Sequence, residues 1–312
     1  MARSGSREGQ GRRRPRAVVI AVVVAMFVIV DVALIGYAVM RSDPPSPGAT
    51  PGPIPTYGSS DPNTTAPTPT ADPVAVPAEP RHLVVTGASA GWRSTTGTCQ
   101  GQSAAVESTN DGGATWKHVN PPGVHEVLYL SANASLVTVV AKTGDACALE
   151  VLKSFTGGQF WKSYPDEIAS YTYLDPAEPA SVQTPGGSVS APCAAIKEVE
   201  RRDDAILAAC DNELFEKPNA NADWSVAAVP GLLSVTVSDA GYTLAVSGDA
   251  DCAGVSIKTL PAPIGTGPPA AVGCVELEVA PTQVSVAQAG SDVWLWTSDR
   301  VFVSSDGGAS WS

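Results

Sequence analysis

Little in this sequence marks a metalloenzyme or a nucleic-acid binder. Histidine is nearly absent, with only His82, His118 and His125 in 312 residues, and no Cys-x-x-Cys or His-x-x-x-His spacing occurs. A structural zinc site draws its ligands from such spacings, so neither a metal nor another cofactor is expected. No glycine-rich phosphate loop is present, which removes the nucleotide signature. Charged residues are sparse at 16% and aromatics at 6%. Cations are scarcest where a polyanion would bind: 7 of the 19 Lys and Arg fall in residues 1–41, leaving 12 cations against 29 acids in residues 42–312. The resulting net charge of −17 repels a phosphate backbone and excludes nucleic acid as a partner. Helical periodicity is missing too, apart from one apolar run.

That run, Ala17 to Met40, holds 24 residues and a single ionisable side chain, Asp31. At about 1.5 Å per residue it crosses a hydrocarbon core of roughly 30 Å. Arg3, Arg7, Arg12, Arg13, Arg14 and Arg16 precede it and only Arg41 follows closely, so the cation bias holds the N-terminus in the cytoplasm. The sequence thus predicts a basic cytoplasmic tail over 1–16, a single-pass transmembrane helix over 17–40 in the cell membrane, and an extracytoplasmic remainder. A cleaved signal peptide is the alternative, because Gly36-Tyr37-Ala38 offers small residues to a peptidase, although the apolar stretch exceeds the usual h-region of about 7–15 residues. Asp31 has no basic residue in its own segment to pair with, so it is either a contact to another membrane helix or a tolerated acid. Residues 41–80 carry 12 of the 27 prolines among Ser, Thr, Ala and Gly, a composition that cannot bury apolar surface and reads as a disordered, extended stalk.

Self-similarity organises residues 81–312. Thr109-Asn110-Asp111-Gly112-Gly113-Ala114-Thr115-Trp116 and Ser304-Ser305-Asp306-Gly307-Gly308-Ala309-Ser310-Trp311 share the pattern Ser/Thr-x-Asp-x-Gly-x-Ser/Thr-Trp. A weaker copy runs from Ser154 through Gly158 to Trp161, and a decayed one ends at Trp224. The tryptophans are 45, 63 and 87 residues apart, which fits a period near 44 with one insertion, assigned to the Pro/Gly-rich segment from Pro176 to Pro192, and one silent copy near Gly265 to Ala270. Short β-branched runs bounded by turn residues lie between the boxes: Leu136 to Val140, Ile206 to Ala209, Val293 to Thr297 and Val301 to Ser304. Ala194 to Ala209 reads as two strands about Asp203-Asp204. Units of this length built from short strands are the blades of an all-β propeller; a period of 44 gives about five blades, or six or seven if the diverged middle hides further strands. The chain stops one residue past Trp311, and Val74-Ala75-Val76 is expected to supply the outer strand of the last blade.

The boxes resemble the Asp-box, or bacterial neuraminidase repeat, of sialidase-like and photosystem-assembly-factor-like propellers and of sortilin-type receptors. The resemblance implies that each box is a turn between the third and fourth strands of a blade. Asp111 and Asp306 would then accept backbone hydrogen bonds, Gly113 and Gly308 would take conformations closed to other residues, and Trp116 and Trp311 would pack between blades. Thr109, Thr115, Ser304 and Ser310 fill the remaining box positions, and Ser154, Gly158, Trp161 and Trp224 are their equivalents in the weaker copies.

The six cysteines, Cys99, Cys147, Cys193, Cys210, Cys252 and Cys274, all lie in the extracytoplasmic part, where an even count implies disulfides with 15 connectivities open. The preferred set is Cys99–Cys147 across equivalent loops of adjacent units, with Cys193–Cys210 and Cys252–Cys274 closing short loops within units. A sialidase would need an arginine cluster, a tyrosine nucleophile and an acid. Among Arg81, Arg93, Arg201, Arg202 and Arg300 none sits in the Arg-Ile/Leu-Pro motif that resembles that family's first catalytic arginine, and Arg201-Arg202 reads as a solvated strand end. The histidines read as surface or interblade residues, and Asp249 with Asp251 as a polar turn rather than a calcium site. No catalytic residue is assigned. The expectation is a non-catalytic binding or assembly module that presents a face or channel to a protein or cell-envelope glycan. The alternative is a diverged sialidase-like glycoside hydrolase or lyase, which acids and tyrosine at the channel mouth would favour.

Overall fold

The computed structural model describes residues 81–277, 283–298 and 300–312. The expected tail (1–16), membrane helix (17–40) with Asp31, stalk (41–80) and Val74 to Val76 latch lie outside these residues. Among the described residues no helix is long and apolar enough to cross a membrane.

The described chain forms six antiparallel sheets in sequence order. Blade one is β1 (Arg81–Val85), β2 (Gly91–Thr95), β3 (Val106–Thr109) and β4 (Lys117–His118); blade two is β5 (Val124–Ala132), β6 (Val137–Thr143), β7 (Ala148–Ser154) and β8 (Lys162–Ser163). A 3-10 turn over Pro165–Ser170 leads to blade three, β9 (Tyr173–Leu174), β10 (Ser181–Thr184) and β11 (Gly187–Ser190). Blade four is β12 (Glu198–Arg202), β13 (Ala205–Cys210), β14 (Glu213–Lys217) and β15 (Ser225–Ala228); blade five is β16 (Leu232–Ser238), β17 (Gly241–Ser247), β18 (Gly254–Pro261) and β19 (Ala270–Glu276). Blade six is β20 (Ser285–Ala289), β21 (Asp292–Trp296) and β22 (Val301–Ser304). The inner strands β12, β16, β20, β1 and β5 touch in turn, β5 and β12 both touch β9 of blade three, and the propeller closes. Radial arrangement of the blades leaves only short, protected sheet edges.

Why these segments are strands follows from their place in a blade. The second strands, β6, β13, β17 and β21, are paired on both edges and covered on both faces by the adjacent blades, so they are apolar almost throughout: Val137, Val139, Val140, Leu207, Ala208, Leu244, Val293, Trp294 and Leu295 are all buried. Outer strands β4 and β8 are short, polar and exposed. The turn between β12 and β13 is Asp203-Asp204, with Asp203 at φ 54° in the left-handed region that Asp tolerates.

The blade count is six, where the period gave five as first choice. The segment from Pro176 to Pro192, read as an insertion, holds most of blade three. Its strands are two to four residues long, and their directions correspond to second, third and fourth strands, so no first strand fills the inner position among the described residues. Too short to show alternation and lacking a box tryptophan, this blade carries no periodic signal. Blade five also lacks its tryptophan, and its third-to-fourth connection falls at Gly265, where the silent copy is expected. In blade six Ser312 exchanges hydrogen bonds with Val303 (3.0 and 3.2 Å) and so occupies the first position of a fourth strand.

Candidate functional site

Strand direction gives the ring two faces. One, the hairpin face, carries the first-to-second and third-to-fourth turns; the other, the crossover face, carries the second-to-third loops and the blade-to-blade crossovers. The four tryptophan-bearing boxes all occupy third-to-fourth connections. In blade one the Thr109 hydroxyl donates to Asp111 Oδ1 (2.7 Å) and accepts from Gly113 N (3.1 Å), while Asp111 accepts from Thr115 N (2.9 Å) and Thr115 Oγ1 (2.5 Å). Blade six repeats the set through Ser304, Asp306, Gly308 and Ser310 at 2.8, 2.9, 2.9 and 2.6 Å. Hydroxyl and amide donors hold the Asp111 and Asp306 carboxyls down to about 2. In blade two Thr156 stands at the aspartate position and accepts from Phe160 N (2.9 Å), while Ser154 still accepts from Gly158 N (2.8 Å).

Each box rests on the blade before it. Trp116 meets Trp294 of blade six edge-on at 6.5 Å, Trp161 Nε1 donates to Val119 O (3.0 Å), Trp224 Nε1 donates to Ser190 O (3.1 Å), and Trp311 packs on the core around Ile257. Gly113 (φ 86°) and Gly308 (φ 97°) lie in the left-handed region, and a Cβ on Gly308 would stand 2.9 Å from Ile257. All of these groups are spent on turn and seam, with none aimed at the central channel.

Three disulfides join Cys99–Cys147, Cys193–Cys210 and Cys252–Cys274, the preferred pairing, and all lie on the crossover face. One detail differs from expectation: Cys193 sits in the crossover from blade three to blade four, so its bond closes a connection between units.

The central channel gathers residues that the sequence did not single out as a site. A cavity of about 70 Å³ at its crossover end and one of about 180 Å³ toward the hairpin face share His82, Leu128 and Val199. The second is lined by Glu200, Tyr129, Ser131, Thr236 and Gln288 among apolar walls, and Gln288 also borders an open mouth of about 440 Å³ formed by the hairpins of blades four, five and six. Arg201, Arg202, Asp203 and Asp239 ring that mouth. Arg201-Arg202 therefore ends a strand, as expected, but at the channel opening.

Glu198 Oε2 accepts from Ser234 Oγ and Val235 N (both 2.9 Å), and Ser234 Oγ accepts from Val286 N (3.0 Å), which ties blades four, five and six together. Burial, then the charge of Glu200, pushes the Glu198 carboxyl well above its ordinary range, and burial does the same to Glu200. Burial lowers His82 to about 4, so this ring is neutral. Two other buried acids are seam clamps: Glu216 accepts from Tyr242 OH (2.9 Å) and Ile264 N (2.5 Å), and Glu126 lies 3.6 Å from Lys142, which also bonds Asp175 (2.6 Å). Among the described residues no His, Cys, Asp and Glu cluster forms a metal site, and Asp249 is bound to Lys258 (2.7 Å). The one sequence hint of the channel was Glu198-Val199-Glu200, acids on alternate positions of an inner strand.

The fold and the channel define a six-bladed β-propeller with a polar central site. No family model and no curated protein matches the chain. Among solved structures it is similar to YCF48 bound to D1 peptide, at 14% identity and a TM-score of 0.30, over 77% of this chain and 83% of that one. It is also similar to a GH43_1 enzyme from Xanthomonas citri, at 12% and 0.35 over 73% and 82%, and to an ancestral GH74 enzyme, at 10% and 0.37 over 72% and 36%. Likenesses this remote say nothing of a substrate or partner for this chain.

Proposed function

We propose that the chain is a membrane-anchored, non-catalytic Asp-box propeller that holds a protein partner on its hairpin face, at the channel mouth. The observation that carries the reading is the mouth itself: its 440 Å³ are built by three hairpins from three blades, rimmed by Arg201, Arg202, Asp203 and Asp239, and share Gln288 with the lining of the central cavity. Convergent polar groups on a rigid ring suit recognition. The shared hydrogen-bond pattern of the blade-one and blade-six boxes supports the Asp-box relationship. The apolar run over 17–40 supports an anchor, which would set the propeller in the extracytoplasmic space beyond the stalk.

A hydrolase or lyase reading draws support from Glu198, Glu200 and Tyr129 lining the channel, with both glutamates pushed up by burial as a general acid would need to be. Against it, one Glu198 oxygen is committed to Ser234 and Val235, and the cavity of about 180 Å³ falls below the roughly 300 Å³ at which small-molecule pockets begin.

Crosslinking in intact cells, followed by purification through a C-terminal tag, tests the binding reading. The partner should co-purify with wild type and be lost with Arg201→Glu combined with Asp239→Lys; equal recovery from both would contradict it. In an Asp31→Leu control, loss of the partner would place part of the contact inside the membrane. Release of sugar from cell-envelope glycan by wild type but not Glu200→Gln would establish the hydrolase instead.

A further inference from the structure

We propose that the hairpin-side half of the channel is a receptor for one primary alkylammonium group, the side chain of a lysine on the partner, with Glu200 as its counter-ion. The inference rests on the mouth being the partner surface and names what enters it. The cavity is too small for a whole ligand and large enough for a single side chain. Its lining combines the apolar Val84, Leu128 and Leu130 with the polar Glu200, Tyr129, Ser131 and Thr236.

The charge balance points the same way. The mouth carries Arg201 and Arg202 with Asp203 and Asp239, and the crossover-side cavity carries Arg81 and Lys197 with Glu198, whereas Glu200 is, among the described residues, the one Asp, Glu, Lys or Arg lining the hairpin-side cavity. The neighbouring cations are committed elsewhere: Arg201 Nε donates to Asp203 O (2.5 Å) and its Nη2 lies 3.4 Å from Asp204, while Arg202 is directed at Tyr242. Neutral His82 supplies no charge. An ammonium has three donors and is compact, which matches one carboxylate and two hydroxyls; a planar guanidinium with five donors does not.

The test uses the purified full-length protein with n-butylammonium as probe and n-butanol as its neutral counterpart, read by saturation-transfer NMR. The expected result is saturable binding of the ammonium alone, displacement by Nα-acetyl-lysine amide, at least tenfold weakening in Glu200→Gln, and loss in the cavity-filling Ser131→Phe. Glu200→Gln keeps the side-chain shape, and a thermal melt matched to wild type confirms that it folds. Equal binding of butanol, unchanged affinity in Glu200→Gln, no saturable binding, or displacement by glucosamine but not by the lysine amide would overturn the proposal. Failure here with a partner still crosslinking at the mouth removes only the lysine receptor. Ammonium binding with no partner at the mouth removes the functional reading and leaves the receptor.

Discussion

Asp111 and Glu198 are both carboxylates, yet their surroundings drive them in opposite directions. Asp111 faces donors from Thr109 and Thr115, so its charged form is favoured and its pKa falls from 3.8 to about 2. Its contribution to stability is present above 3.8 and is lost as pH falls toward 2, and the same holds for Asp306. An Asp111→Asn, Asp306→Asn chain should therefore lose less stability than wild type between pH 4 and 2, as followed by urea denaturation. Glu198 is the reverse case: the folded state retains a proton that the unfolded chain gives up near 4.5. Its contribution is present below 4.5 and drains away as pH rises through the raised folded value. Glu198→Gln keeps an acceptor for Ser234 and Val235, and its melting temperature should fall less than that of wild type as pH rises above 5. A slope equal to that of wild type would mean that Glu198 is already ionised in the folded protein.

At the scale of the element, the disulfides offer a graded test. Cys99–Cys147 closes 48 residues of sequence and Cys193–Cys210 closes 17. Loop-closure entropy makes the longer bond worth more by about 0.9 kcal/mol, within totals of roughly 2–4 kcal/mol each. Denaturant titration of the two paired Cys→Ala variants should show that order. Elements were legible in the sequence wherever local chemistry repeats. The boxes stood out as turns because a Ser/Thr-x-Asp-x-Gly turn needs those residue types, their third-to-fourth position was implied by the Asp-box resemblance, and β13, β21 and β22 stood out as apolar runs between turn residues. Blade three was illegible for a physical reason: β9 has two residues, no first strand fills the inner position among the described residues, and polar Gly/Pro-rich sequence replaces the box. Glu198 and Glu200 carry no local signature, because only ring closure turns their strand toward a shared channel.

The whole molecule depends on the seam that joins its ends. Trp294 is fully buried against Trp116, Arg93 stacks on Trp116 and Trp296 at 4.2 and 4.8 Å while paired with Glu107 at 2.7 Å, and Arg81 donates to Thr297 O (2.8 Å) above Trp296. Trp294→Ala should cost about 3–5 kcal/mol, since it removes a large buried side chain from the contact that closes the ring. A loss below 1 kcal/mol in urea titration would mean that the seam does not hold the propeller shut. A rigid closed ring is also what lets three hairpins form one mouth, and the claim that this mouth faces the partner is tested most directly by site-specific photo-crosslinking in intact cells. A benzoylphenylalanine at Asp239, exposed on the hairpin face, should capture the partner, and one at Asp145, exposed on the crossover face, should not. Capture from Asp145 with none from Asp239 would place the partner on the opposite face and contradict the proposal.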